Sequence, residues 1–64
     1  MTMQLKVPDM ACSACVNNIT QAVQQLDSAA QVNADLDRKT VNVDTQESEQ
    51  AVKQAISAAG YSID

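Results

Sequence analysis

The stretch Met3-Gln4-Leu5-Lys6-Val7-Pro8-Asp9-Met10-Ala11-Cys12-Ser13-Ala14-Cys15-Val16, residues 3–16, contains a change of hydrophobic period that organises the rest of the chain. Met3, Leu5 and Val7 alternate with Thr2, Gln4 and Lys6, the spacing of a half-buried strand. Pro8 ends that strand, because proline cannot donate to a ladder, and Asp9 to Cys12 read as a loop. Beyond it the apolar residues fall at Val16, Ile19, Val23 and Leu26. This spacing predicts a helix of about 13 residues with Ser13 as its N-cap. Asp27 and Ser28 break it.

Further along, Ala30, Val32, Ala34 and Leu36 alternate against Gln31, Asn33 and Asp35 and give a second strand. Asp37-Arg38-Lys39 form a short connection to a third strand marked by Val41 and Val43, so the two read as a hairpin. After the polar residues 46–48, with Thr45 or Ser48 as the cap, Val52, Ala55, Ile56 and Ala59 mark an apolar helical face. Gly60 follows as its C-terminal stop. Tyr61 and Ile63 alternate in a last short strand. The order β-α-β-β-α-β predicts an α+β, ferredoxin-like sandwich: an antiparallel four-stranded sheet with two helices on one face. That topology puts the Cys12–Cys15 loop at one end of the sheet, beside the turn at Gly60-Tyr61.

The chain has 64 residues, read as a single domain over 1–64, with an apolar fraction of 45%. A domain this short buries only about 60% of the surface its unfolded form exposes, which leaves a thin core and no cleft between lobes. The single Tyr, with no Phe or Trp, makes that core aliphatic. Eight acidic against four basic residues give a net charge of −4. Lys6, Arg38, Lys39 and Lys53 form no cluster able to release counterions from nucleic acid, and aromatic stacking platforms are missing. The acidity keeps a small protein soluble, and it also suits docking onto a basic surface. No apolar run approaches the ~20 residues that cross a bilayer. The N-terminal residues show no secretory pattern, so a cytoplasmic location is the expectation. In that compartment two cysteines three apart point to metal or redox work rather than a structural disulfide.

Cys12 falls in the loop and Cys15 in the first helical turn, where side chains three apart have Cβ atoms roughly 5–6 Å apart. Two thiolates sharing one ion at metal–sulfur distances near 2.3 Å need sulfurs about 4–5 Å apart, a fit for a near-linear, two-coordinate site. The helix N-terminus stabilises the thiolate of Cys15. Two soft ligands select a soft ion, and Cu(I) is the cytosolic candidate satisfied by so few. Zinc asks for four ligands, and the chain has two Cys and no His. An open coordination sphere lets a partner's thiolate add before an original one leaves, which suits a carrier.

The run Val7 to Cys15, then Asp35-Leu36 with Val41-Asn42-Val43, then Ala55-Ile56 with Ala59-Gly60-Tyr61, resembles the heavy-metal-associated domain family over essentially the whole chain. That family includes soluble copper chaperones, the N-terminal domains of copper- and zinc-transporting P-type ATPases, and a periplasmic mercury-binding protein. Its signature, Gly-Met-x-Cys-x-x-Cys, is matched by Met10, Cys12 and Cys15, while Asp9 stands at the usual glycine position. The resemblance implies that Cys12 and Cys15 ligate the ion and that Met10 points inward, anchoring the loop without binding. Tyr61 matches a position near the metal loop where bacterial members often carry Tyr.

The expected function is therefore a cytosolic Cu(I) metallochaperone, not an enzyme, that docks transiently on a copper-transporting P-type ATPase and transfers its ion by ligand exchange. The apo chain is expected to be monomeric, with two copies able to meet through four thiolates around bridging copper. Competing readings are the N-terminal domain of such an ATPase, a Zn(II) carrier using Asp9 as an extra oxygen ligand, and a thiol-disulfide oxidoreductase. The last is disfavoured by the motif's interior and by the lack of a later proline beside the sulfurs. Asp9 reads first as a turn residue. Tyr61 reads equally as a strand residue covering the sheet end, Glu47 and Glu49 as charges complementing a helix dipole, and Lys6 and Lys53 as solvated.

Overall fold

Strand β1 (Thr2–Lys6), helix α1 (Ser13–Leu26), strands β2 (Gln31–Asp35) and β3 (Thr40–Asp44), and helix α2 (Glu49–Ala58) follow in chain order in a computed structural model that describes residues 2–64. The alternating residues of β1 and β3 put Leu5, Val41 and Val43 on one face, where each is buried. Ile19 and Val23 of α1 and Val52 and Ile56 of α2, spaced at one turn, are fully buried against them. The result is two helices packed on a small antiparallel sheet in the strand order β1-β3-β2. Among the described residues no helix is long and apolar enough to cross a membrane.

The register determines what lies beside the cysteine loop. Lys6 of β1 and Asp35 of β2 both pair with Thr40, so the β2–β3 turn stands at the same end of the sheet as the loop following β1. The Val7 amide donates to the Lys39 carbonyl at 2.8 Å and ties the two together. The turn spans residues 36–39, slightly longer than the three-residue connection expected. Asp35 caps it, its Oδ1 accepting from the amides of Asp37 and Arg38. Lys39 closes it in the left-handed region at φ 59°. At the opposite end Thr45, itself buried, donates to Asp27 at 2.6 Å and joins the end of α1 to the end of β3.

Two expectations are corrected. The sheet has three strands rather than four. Residues 61–64 do reach the end of the free edge of β1, where the Asp64 amide donates to the Lys6 carbonyl at 2.8 Å. The Ser62 amide, however, is taken by the Asp9 carboxylate at 3.0 Å, so this segment is diverted towards the loop before a ladder forms. The second correction concerns α1: Ser13 is its first helical residue, and the N-cap is Cys12, in extended backbone at φ −152°, ψ 167°. At α2 the cap is Ser48, whose Oγ accepts from the Ala51 amide at 3.1 Å. Gly60, at φ 99°, follows the C-cap Ala59 in the conformation that glycine adopts at least cost.

Candidate metal centre

The loop is built from a tight turn and a buried anchor. Pro8 and Asp9 occupy the centre of a turn closed by the Met10 amide donating to the Val7 carbonyl at 3.0 Å, positions that suit proline's fixed φ and an Asx residue. Val7 and Met10 are both fully buried. With its two ends held in the core, the turn delivers Ala11 and Cys12 outward into solvent. Cys12 is exposed and Cys15, one helical turn on, is half-buried; both are free thiols.

Their sulfurs lie 3.0 Å apart, joined by an S–H···S hydrogen bond that either can donate. Cys12, the N-cap of α1, makes no side-chain cap hydrogen bond. The Cys15 thiol is lowered from the ordinary 9.0 to about 7, first by the hydrogen bond from Cys12, then by the Ala11 amide and by the Tyr61 hydroxyl; partial burial opposes them. A sulfur with such donors around it at a helix start is easily ionised.

Tyr61 reaches the site from the other side of the sheet end, as the topology predicts. Its hydroxyl also accepts from Asn18 Nδ2 at 3.1 Å. That bond favours the phenolate, but the Cys15 thiolate, by accepting the phenol's proton and by its charge, outweighs it together with desolvation and holds the phenol above its ordinary range. Asp9 is not brought to the sulfurs. Its carboxylate pins Ser62, and among the described residues no group of three or more His, Cys, Asp or Glu assembles.

Asn18 is the residue of this site that sequence reasoning missed. An amide on an exposed helix face looks like a solubilising residue, and its partner is 43 positions away. The available signal was its place three residues after Cys15, on the same side of the helix. A shallow open groove between the first turns of α1 and residues 34–37 adjoins the pair at Ser13; it is not a cleft that would enclose a small substrate.

Residues 4–62 match the heavy-metal-associated domain family. The COP-associated protein of Helicobacter felis is 32% identical over 65 residues, covering 98% of this chain and 98% of that protein. Among solved structures, the copper chaperone Atx1 from Synechocystis PCC6803, in a Cu1, trimeric form of a His-to-Tyr mutant, matches with a TM-score of 0.96 at 40% identity over 97% of this chain and 98% of that one. The cyanobacterial copper metallochaperone ScAtx1, solved in solution, matches with a TM-score of 0.82 at 41% identity over 100% of both chains.

Proposed function

The chain belongs to the heavy-metal-associated domain family, and on that premise we propose that it carries Cu(I) on Cys12 and Cys15 and passes it to a partner protein by ligand exchange. The observation behind this reading is the exposed, reduced sulfur pair, 3.0 Å apart, with no third ligand assembled beside it among the described residues. Two soft thiolates and nothing harder favour a soft ion. The copper chaperones among the similar structures support the same choice.

Loading requires a small, local rearrangement. A linear S–Cu–S unit with bonds near 2.3 Å places its sulfurs about 4.6 Å apart, so the pair must open from its hydrogen-bonded separation. Cys12 is the mobile partner, because it is exposed while Cys15 packs against the core. The proton shared between the sulfurs leaves as copper enters. In transfer, a partner's thiolate adds to the open side of the ion, one of the two cysteines departs, and a second partner thiolate completes the exchange. A departing Cys15 is received by the Ala11 amide and the Tyr61 hydroxyl, so the leaving thiolate is stabilised.

The recipient in this reading is the metal-binding domain or entry site of a copper-transporting P-type ATPase, reached in a reducing, cytoplasmic setting. Asp9, engaged with Ser62, gives no support to a zinc site. Native mass spectrometry of protein purified anaerobically with its metal, followed by competition with Cu(I) and Zn(II) chelators, tests the proposal. One Cu(I) per chain is expected, with retention lowered by orders of magnitude in Cys12→Ser or Cys15→Ser. Tighter retention of zinc, or copper bound undiminished by the serine variants, overturns it.

A further inference from the structure

We propose that Asp9 is a positioning residue of the metal centre: by gripping the Ser62 amide, its carboxylate fastens the turn that presents Cys12, so that the sulfur pair opens for an ion without the turn moving. This rests on the copper-carrier reading.

The turn over residues 7–10 has a neighbour on each side. Towards β3, the Val7 amide donates to the Lys39 carbonyl at 2.8 Å. Towards the free edge of β1, Asp9 Oδ2 accepts from the Ser62 amide at 3.0 Å, across 53 positions of sequence. The first tie is backbone to backbone and depends on no side chain. The second exists only because residue 9 carries an acceptor. A tie holds only if its far end is fixed, and Ser62 is such a post. Tyr61 and Ile63, on either side of it, pack against the core. Asn18 Nδ2 donates to the Tyr61 hydroxyl at 3.1 Å, and the Asp64 amide donates to the Lys6 carbonyl at 2.8 Å.

Cys12 is exposed and stands two residues beyond Met10, which is fully buried. Its sulfur must move from 3.0 Å to about 4.6 Å from that of Cys15 to make a linear site. With the turn fastened at Val7, Asp9 and Met10, that movement is confined to Ala11 and Cys12. Without the grip, the corner at Pro8-Asp9 is held by its two ends alone and samples more arrangements, which are lost when the ion binds. The grip therefore strengthens retention. The charge of Asp9 acts in the opposite sense, because Cu(I) with two thiolates is an anion that a nearby carboxylate disfavours. Grip and charge are thus separable by sign.

The test compares Asp9→Ala, which loses both, with Asp9→Asn, which loses the charge and keeps an acceptor oxygen. In NMR of the apo proteins, exchange of the Ser62 amide with solvent is expected to speed up about three- to tenfold in Asp9→Ala, the scale of one exposed hydrogen bond. The order parameters of the Ala11 and Cys12 amides fall in the same variant, while the amides of Ile19 and Val23 keep their wild-type exchange. Cu(I) retention against a bicinchoninate competitor weakens by about three- to tenfold in Asp9→Ala, whereas Asp9→Asn stays within about twofold of wild type or binds more tightly.

Wild-type exchange at Ser62 in Asp9→Ala, or unchanged order at Ala11 and Cys12, overturns the proposal. So does retention that weakens equally in both variants, or that fails to weaken in Asp9→Ala. Faster exchange at Ile19 and Val23 overturns it too, because Asp9 would then support the fold as a whole. Wild-type protein that binds no Cu(I) refutes the carrier reading instead, and the amide pattern still decides whether Asp9 fastens the loop.

Discussion

At the scale of single residues, Cys15 links the local fold to pH. Its thiol is lowered from 9.0 to about 7, chiefly by Cys12 and then by the Ala11 amide, so between those values the unfolded chain binds the proton that the folded chain has lost. Stability from this group is fully present above about 9 and is lost as pH falls through about 7. The thiolate ultraviolet absorbance of the apo protein is expected to rise with a first midpoint near 7. In Cys12→Ser that midpoint is expected to move upward, because a serine hydroxyl is a different donor at a different reach. A first midpoint at the ordinary thiol value in wild type would show that the pair is not hydrogen-bonded in solution. The cysteines were legible in the sequence because two soft ligands at that spacing restrict the chemistry, and Met10 because its pattern marks a buried anchor. Neither the Asp9–Ser62 bond nor the Asn18–Tyr61 bond was legible. Each joins polar residues that look ordinary in their own segments and meet only after the chain closes.

At the scale of elements, the two helices begin differently. Helix α2 starts with a side-chain cap, Ser48 Oγ receiving the Ala51 amide, and with Glu49 in its first turn. Helix α1 starts on Cys12 with neither. The lack of a side-chain cap at Cys12 carries a cost in local helix stability. Ser48→Ala is expected to destabilise the protein by about 1 kcal/mol in denaturant unfolding, with copper retention unchanged. A change in retention would mean that the two helix starts are coupled. The helices and the hairpin were readable because their apolar periods are clean. The fourth strand was misread because the alternation of Tyr61 and Ile63 satisfies a period of two as well as a ladder would, while the bond that diverts Ser62 is supplied by Asp9, far away in sequence.

At the scale of the whole molecule, the metal end and the core are separable. Among the described residues the ten buried apolar ones include no cysteine, and only Cys15 of the pair packs against them. The far end is closed independently by the Thr45–Asp27 bond, which holds the Asp27 carboxyl below its usual range, with further help from the Ala29 amide. A Cys12→Ser, Cys15→Ser double variant is therefore expected to unfold cooperatively with a free energy within about 1 kcal/mol of wild type at a pH where the thiols are protonated. Collapse of the variant would show that the sulfurs are part of the fold's support. The three-stranded sheet has one more consequence. The carbonyl of Lys6 faces the outer side of β1 and accepts from the Asp64 amide, and by alternation the backbone groups of Thr2 and Gln4 face the same way. Such a margin is a template on which a foreign strand can grow. Residues 61–64 thus act as a guard rail at one end of that margin. Cleavage within residues 61–64 would free that one position, at Lys6, for pairing with a neighbouring strand, while the thiol pair a few residues away stayed chemically intact.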